Sequence, residues 1–461
     1  MHRQLPILFD HPNATRKNYE ENHKNRMDVF PGKADNSKLR FIWSIDFLTP
    51  SSLAETKKRL LKLGWEDSSK DRESPMDWLS AARNERYRQG WKNLGYITRN
   101  PTTFFNQGHH QQSKSLPGIF SSAKVSLFSV SPALSAIVIC FVLEENEWKT
   151  YDKICGLHLL TEFESRTRLS TSIISPLHQK QRLIKKSRAH FQALIHQWFR
   201  VEFPGIFSSK EDSEIPCVEF LELNSSPSPR WGAYRQMFYN ARSPSPFSID
   251  DSDEFLFHED VPISRGSRSY GSLTATSNFI ENLDLSLFGD RDNDSLATHF
   301  DFYVPAFMVQ WGLNRLTHSL NKELGSIRDN SLDPISKMPN LFNKKKSRLD
   351  WKISLDVKTL SYDIKKTNFD FFKGNSLNVR GVYYDDENTS HSFLQILNTR
   401  TLKAAKEVYR NTNILAKVQH DLDMSYSIRQ SAWINTLTLM IGILSIVIAL
   451  TTLYFVISTP Q

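Results

Sequence analysis

The stretch Asn435–Gln461, NTLTLMIGILSIVIALTTLYFVISTPQ, is unlike anything before it in the chain. From Thr436 to Ile457 it holds 22 residues and no charge. At ~1.5 Å of rise per residue, a helix of that length reaches roughly 33 Å, enough for the hydrocarbon core of a bilayer. A buried core helix is the competing reading, but such helices seldom run this long without a charge. The segment therefore predicts one transmembrane helix over 436–457. Lys417 and Arg429 lie before it and only Ser458–Gln461 after it. The positive-inside tendency then puts the preceding body in the cytosol and the short C-terminus on the opposite side. The opening residues, MHRQLPILFDHPNATRKNYEENHKNR, hold no apolar run of secretory-leader length, which agrees. Trp433 and Tyr454 suit the two interfaces of the membrane.

Within the span, Thr438, Gly442, Ser445, Ala449 and Thr452 recur at steps of four, three, four and three. They form one stripe of small or weakly polar residues, the pattern by which helices approach closely in lipid. It predicts an association face between copies of the chain.

Upstream, residues 392–435 contain neither Pro nor Gly. Leu394, Leu397, Val408, Asn411, Leu415, Val418 and Leu422 recur there at heptad-like spacing, with Lys, Arg, Asp and Gln on the other faces. Two readings stay open. One is a helical stalk that zips copies together, with Asn411 setting register. The other is an amphipathic helix lying against its own domain. The lack of any helix breaker before the span favours the stalk.

The stretch His420–Leu450, HDLDMSYSIRQSAWINTLTLMIGILSIVIAL, resembles the end of the stalk and first membrane helix of CorA-type metal-ion transporters. The resemblance covers about the last 70 residues. It implies a cytosolic α/β domain feeding a stalk in a homo-oligomer. The family's Gly-Met-Asn signature and second membrane helix are not in the sequence, where Ser458-Thr459-Pro460 follows the span. No selectivity residue of the family therefore transfers to this chain.

Composition bounds the remainder. A chain of 461 residues suggests two or three structural units. Hydrophobic residues make up 39%, too few for a polytopic membrane protein. The net charge of +8 is a mild excess of 58 basic over 50 acidic residues. Only Lys344-Lys345-Lys346 with Arg348 clusters, which argues against nucleic acid as a partner. Cys140, Cys155 and Cys217 are few and widely spaced, so no disulfide framework is expected and a reducing compartment fits.

Residues 1–38 read as a polar N-terminal segment and 39–242 as an α/β cytosolic domain. LRFIWSIDFL (Leu39–Leu48) reads as a buried strand, and SSLAETKKRLLKLGW as a Ser-capped helix stopping at Gly64. PMDWLSAARNERYRQGWKNLG predicts a second helix from Pro75 to Gly95. AKVSLFSV, ALSAIVICFVLEE and IPCVEFLEL predict strands, and Leu177–Val201 a long helix. Residues 243–298 are rich in Ser, Asp, Gly and Pro and read as a loop or insertion. From 299 to 391 the domain resumes, strand-like and then helical, with a further helix in LDWKISLDVKTLSYDIKK. The fold class expected is α+β or mixed α/β, followed by the stalk over 392–435 and the span.

One hexapeptide occurs twice: Pro-Gly-Ile-Phe-Ser-Ser at 117–122 and at 204–209. Its flanks differ, so it predicts two similar turns that tuck an Ile-Phe pair inward rather than a duplicated domain.

Chemistry-bearing patterns are scarce. No P-loop, dinucleotide fingerprint, zincin or nucleophile-elbow motif occurs. Cys155 and His158 make half a zinc site at best, and His190 and His196 are too far apart for one helix face. His109-His110 and His258-Glu259-Asp260 read as solvated loops. Arg182, Lys185, Lys186 and Arg188 make a basic helix face that an anionic ligand would fit, although a solvated face is the commoner outcome. No residue is nominated as catalytic, metal-binding or cofactor-binding. The expected function is a membrane-anchored, homo-oligomeric sensor or effector whose domain couples to membrane-helix packing, with the bilayer as its first partner. A degenerate CorA-like ion pathway and a membrane-tethered enzyme are the alternatives.

Overall fold

The computed structural model describes residues 36–65, 74–84, 89–99, 110–112, 115–157, 159, 162–167, 170–211, 213–224, 247–250, 252–259, 270–285, 293–332, 355–373, 376–381 and 392–458. Strand β1 (Lys38–Leu48) is followed by α1 (Pro50–Lys62), α2 (Pro75–Asn84), β2 (Gly90–Thr98), β3 (His110–Gln112), β4 (Phe120–Ser129) and β5 (Ser135–Leu143). Two short helices, α3 (Glu145–Trp148) and α4 (Thr150–Cys155), lead to the hairpin β6 (Glu162–Thr167) and β7 (Ser170–Ile174). Then come α5 (Pro176–Glu202), β8 (Cys217–Leu223), β9 (Phe247–Ile249), β10 (Ser252–Glu259), β11 (Tyr270–Thr276), α6 (Ser277–Glu281) and α7 (Asn293–Phe300). The chain ends with α8 (Val304–Leu332), α9 (355–366), α10 (Asp370–Lys373), β12 (Val379–Gly381) and α11 (Phe393–Ser458).

Ten strands form one mixed sheet in the order β12-β9-β10-β11-β8-β1-β5-β4-β2-β3. The β11–β8 and β2–β3 pairs are parallel and the others antiparallel. Its centre, β8-β1-β5, is buried on both faces, which is why IPCVEFLEL and SAIVICFVL read as near-continuous apolar runs. Residues 41, 43, 45 and 47 of β1 face one side. There Trp43 meets Phe300 of α7 edge-on at 6.5 Å, and Ile45 and Phe47 lie against Gly312 of α8. The opposite face carries Phe141, set against Trp198 and Phe199 of α5. Helices thus cover both faces of the sheet, an α/β arrangement.

Local signals explain several boundaries. The α5 helix starts at Ser175, whose hydroxyl accepts the His178 N–H, with Pro176 in the first turn, and it stops before Pro204-Gly205. The α1 helix gives way at Gly64, which takes a φ of 75° that L-residues disfavour. A register shift between Leu39 and Phe41 leaves Arg40 as a bulged residue on β1.

Three expectations are corrected. The second helix is described as far as Asn84, and Gly90–Gly95 belong instead to β2, which pairs with β4 from Gly90 onward. Pairing to a long neighbour outweighs the local helical period there. The polar segment 243–298 is not a plain loop: it contributes β9, β10, β11, α6 and part of α7. Alternation in β10 (DEFLFHE) and the small residues of β11 (YGSLTAT) serve sheet positions that an average of composition hides. No strand forms over 299–303; α7 ends at Phe300 and α8 begins at Val304, with Pro305 in its first turn.

The chain divides into two compact units. One comprises Met1–Leu316 and Asp363–Leu402 and holds the sheet. The other comprises Thr317–Tyr362 and Lys403–Gln461 and is helical where described. Within it, Tyr409 of α11 meets the Tyr362 ring of α9 at 5.8 Å and receives the Lys358 ammonium over its face at 5.9 Å.

Candidate functional site

The most connected polar site in the sheet unit lies between β8 and α5. Glu219 sits mid-strand at 0% exposure. Its Oε1 accepts from Arg188 Nε at 2.9 Å, from Arg188 Nη2 at 2.5 Å and from Ser272 Oγ at 2.7 Å. Its Oε2 accepts from Tyr151 Oη at 2.7 Å. Four hydrogen bonds thus converge on one carboxylate, three of them on a single oxygen. The Arg188 guanidinium also lies 5.7 Å from the Tyr151 ring and 5.6 Å from the Tyr270 ring. Burial, reinforced by the Glu219 charge, holds both tyrosine hydroxyls well above their ordinary range. Beside them, burial pushes the Cys217 thiol up to about 12, so it stays protonated and unreactive. The cluster fixes α4, α5, β8 and β11 to one another, and its one buried hydroxyl without a hydrogen-bond partner is that of Tyr270.

Arg188 was one of the four residues expected on the basic face, and that assignment is corrected: it points inward. Arg182 and Lys186 are exposed and Lys185 is half-buried. The reason was legible in the sequence. Ile184, Arg188, Phe191 and Ile195 follow steps of four, three and four, so Arg188 occupies the apolar stripe of α5. A charge on that stripe needs a buried partner, and Glu219, a charge inside a doubly buried strand, is the complement.

Two further buried carboxylates organise the same unit. Asp46 accepts backbone N–H groups from Phe47 at 2.7 Å, Phe207 at 2.8 Å and Ser208 at 2.9 Å. The second copy of the hexapeptide thus wraps a carboxylate, and a Cβ on Gly205 would fall 2.4 Å from Asp46 Cγ. The first copy does something else: Phe120 opens β4 after a turn closed by its N–H to the Pro117 carbonyl. In both copies Phe is buried and Ile is half-buried, so the shared feature is one inward Phe rather than an Ile-Phe pair. On the other face, Lys124 and Asp301 pair at 3.0 Å, both buried, with Asn93 donating to Asp301 at 3.3 Å. Burial outweighs these partners and raises the carboxyls of both Asp46 and Asp301.

At the edge of β8, Glu222 meets Lys38 at 2.9 Å and the bulged Arg40 at 2.6 Å. Arg40 also stacks on Trp148 at 4.2 Å. Burial alone would raise the Glu222 carboxyl, but Arg40 and Lys38 together hold it below the ordinary glutamate value.

The other candidate site is the long helix itself. From Phe393 to Ser458 α11 is one unbroken helix of 66 residues. Its early part is partnered within the chain: Leu394, Leu397, Val408 and Leu415 of the expected seam are buried, as are Asn398, Thr401, Ala405 and Thr412. Asn411 is exposed, which corrects its place on the seam; Thr412 takes the inward position. The side chains of Val418 and Leu422 lie outside the described residues. Ser431–Thr452, by contrast, has a mean hydropathy of 2.2 over its most apolar window, none of which is buried. It is the one helix among the described residues long and apolar enough to cross a membrane. Thr438, Gly442, Ser445, Ala449 and Thr452 are all exposed on it. The hydroxyls of Thr438, Ser445 and Thr452 each donate to the carbonyl four residues back, at 2.7–2.9 Å. No polar hydrogen of that stripe is left unbonded for lipid to penalise.

Among the described residues no three His, Cys, Asp or Glu side chains gather where they would hold a metal ion. None of the three cysteines is in a disulfide and all are buried; His109, His158 and Asp260 lie outside the described residues. His190 is exposed, while His258 is buried on β10 rather than solvated. A shallow cleft by Trp91, Phe128, Asp301 and Phe302 has a volume of about 10 Å³, room for roughly one water molecule. No protein-family model, curated protein or solved structure matches the chain.

Proposed function

We propose that this chain is a membrane-anchored α/β protein in which α11 crosses the bilayer near Ser431–Thr452 and the sheet unit acts as the sensing or effector part. The observation that carries the reading is that no part of that apolar window is buried. Leu437, Leu439, Met440, Ile441, Ile443 and Leu444 are each 41–65% exposed. Leaving such side chains in water forgoes ~1.5–3 kcal/mol each, which a bilayer recovers. Lys417 and Arg429 ahead of the segment favour a cytosolic sheet unit.

Self-association is part of the proposal. At 100° per residue, the exposed Met424 and Ile428 fall on the same side of α11 as Gly442 and Ala449. That line runs roughly opposite to the buried Leu397–Leu415 face. A second copy of the helix covering this line gives the homo-oligomer, in which membrane-helix packing responds to the sheet unit.

Flotation tests the anchor. Full-length protein should rise with phosphatidylcholine vesicles after an alkaline wash, and Gly442→Arg with Ser445→Arg should abolish this, each charge costing ~2.5–3.5 kcal/mol mid-membrane. Wild-type protein that stays in the supernatant ends the reading. A monomer at every concentration by light scattering in detergent ends the self-association part.

The continuity of α11 into the apolar segment also favours a second reading, an ion pathway on the CorA pattern. It requires metal-dependent flux into protein-loaded liposomes.

A further inference from the structure

Where α11 begins, in the sheet unit, it is joined to α8 by a row of buried amides and hydroxyls. Asn398 Nδ2 donates to Gln310 Oε1 at 2.9 Å, and Asn314 Nδ2 donates to Thr401 Oγ1 at 3.0 Å. The Thr401 hydroxyl in turn donates to the Leu397 carbonyl at 2.8 Å. Gln310 Nε2 holds Ser376 Oγ at 3.1 Å. All four seam residues are at most 7% exposed. The pairs 310–398 and 314–401 ascend together, so the two helices run in the same direction there. On its far side α8 is tied to the sheet: Gly312 approaches β1 closely, and Glu259 at the end of β10 accepts from Trp311 Nε1 at 3.0 Å and pairs with Arg315.

We propose that this seam is a one-turn register switch, able to hold α11 at either of two axial positions against α8. Polar residues on α8 repeat at one-turn steps: Gln310, Asn314, Thr317, each at most 7% exposed. Advancing α11 by one turn, about 5.4 Å, brings Asn398 level with Asn314 instead of Gln310. An amide meets an amide in both positions. Each position also leaves one amide oxygen unpaired: Asn398 Oδ1 has no partner in the present register, and Gln310 Oε1 loses its own in the advanced one. Intermediate positions pair neither, so the choice is discrete. Phe393 sets the resting position, seated on Phe247 at 4.4 Å and on Phe257 at 5.6 Å. Whatever displaces Phe393 or Gln310 in the sheet unit advances the whole of α11. That the advance reaches a bilayer rests on the anchoring reading; the register switch does not.

Spin labels read the register directly. Lys322→Cys and His420→Cys are exposed positions on α8 and α11, both in the helical unit and staggered along the helix axis so that an axial advance lengthens the distance between them, and the native cysteines are buried and escape labelling. In full-length protein in phosphatidylcholine vesicles, pulsed dipolar spectroscopy should show two distance populations differing by several ångströms. Gln310→Leu should raise the second population at least two-fold, and Asn314→Leu should leave a single one. One population at the same distance in wild type and in Gln310→Leu overturns the switch. Should Gln310→Leu fail to fold, the wild-type distribution decides alone: two populations sustain the switch and one removes it. Flotation, read separately, reports on the anchor whichever way the labels fall.

Discussion

At the scale of single residues, the decisive feature is a charge inside an apolar pattern. Arg188 and Glu219 each interrupt a stripe that otherwise buries hydrocarbon, and each is the other's reason for being there. Removing one leaves a buried charge with no counterion. Arg188→Met should therefore cost about 3–5 kcal/mol, measured by urea unfolding. Arg188→Met with Glu219→Met together should recover part of that loss, because no charge is then stranded although the Tyr151 and Ser272 hydroxyls lose their acceptor. A single variant as stable as wild type would show that the guanidinium contributes nothing to closing the sheet onto α5. The repeated hexapeptide teaches the complementary lesson. Six identical residues open a strand in one place and cradle the Asp46 carboxylate in the other, because their neighbours differ.

At the scale of elements, α11 is two helices in chemistry and one in backbone. Its first six turns carry buried Leu, Val and Thr that pack inside the chain, while Ser431–Thr452 presents apolar side chains on every side. The hydroxyls of that segment already bond their own helix, so they are not what holds it in lipid or keeps it out. Thr438→Val, Ser445→Ala and Thr452→Val combined should float with vesicles as the wild type does. A loss of flotation would mean that those hydroxyls bond outside the helix. Elements were legible where a pattern was long and uniform: β1, β5, β8, α5 and α11. They were misread at Gly90–Leu94 and within 243–298, where short strands exist only because a neighbouring strand pairs with them.

At the scale of the whole molecule, stability against acid follows from which carboxyls are held low and which are raised. Glu222 lies below its ordinary 4.5 because Arg40 and Lys38 outweigh burial. Its contribution is therefore complete above about 4.5 and disappears as pH falls through the lower folded value. Asp46 and Asp301 lie above their ordinary 3.8, so the folded chain binds their protons more readily; they cost stability as pH rises through that window and do not drive acid unfolding. Glu222→Gln should be less stable than wild type near neutral pH, and the difference should shrink as pH drops below about 4.5. A difference independent of pH would place the effect in packing rather than in charge.

The sequence by itself determined the apolar segment, the absence of a breaker before it and the α/β character of the body. Each of these is a property of periodicity or composition along one stretch. Only the tertiary structure decided that Arg188 faces inward to Glu219, that 243–298 supplies strands, and that the early seam of α11 is filled by the chain's own residues. The physical reason is the same in each case. A buried charge, a short strand and a half-apolar helix are all unstable alone, and their state is set by a partner far away in sequence.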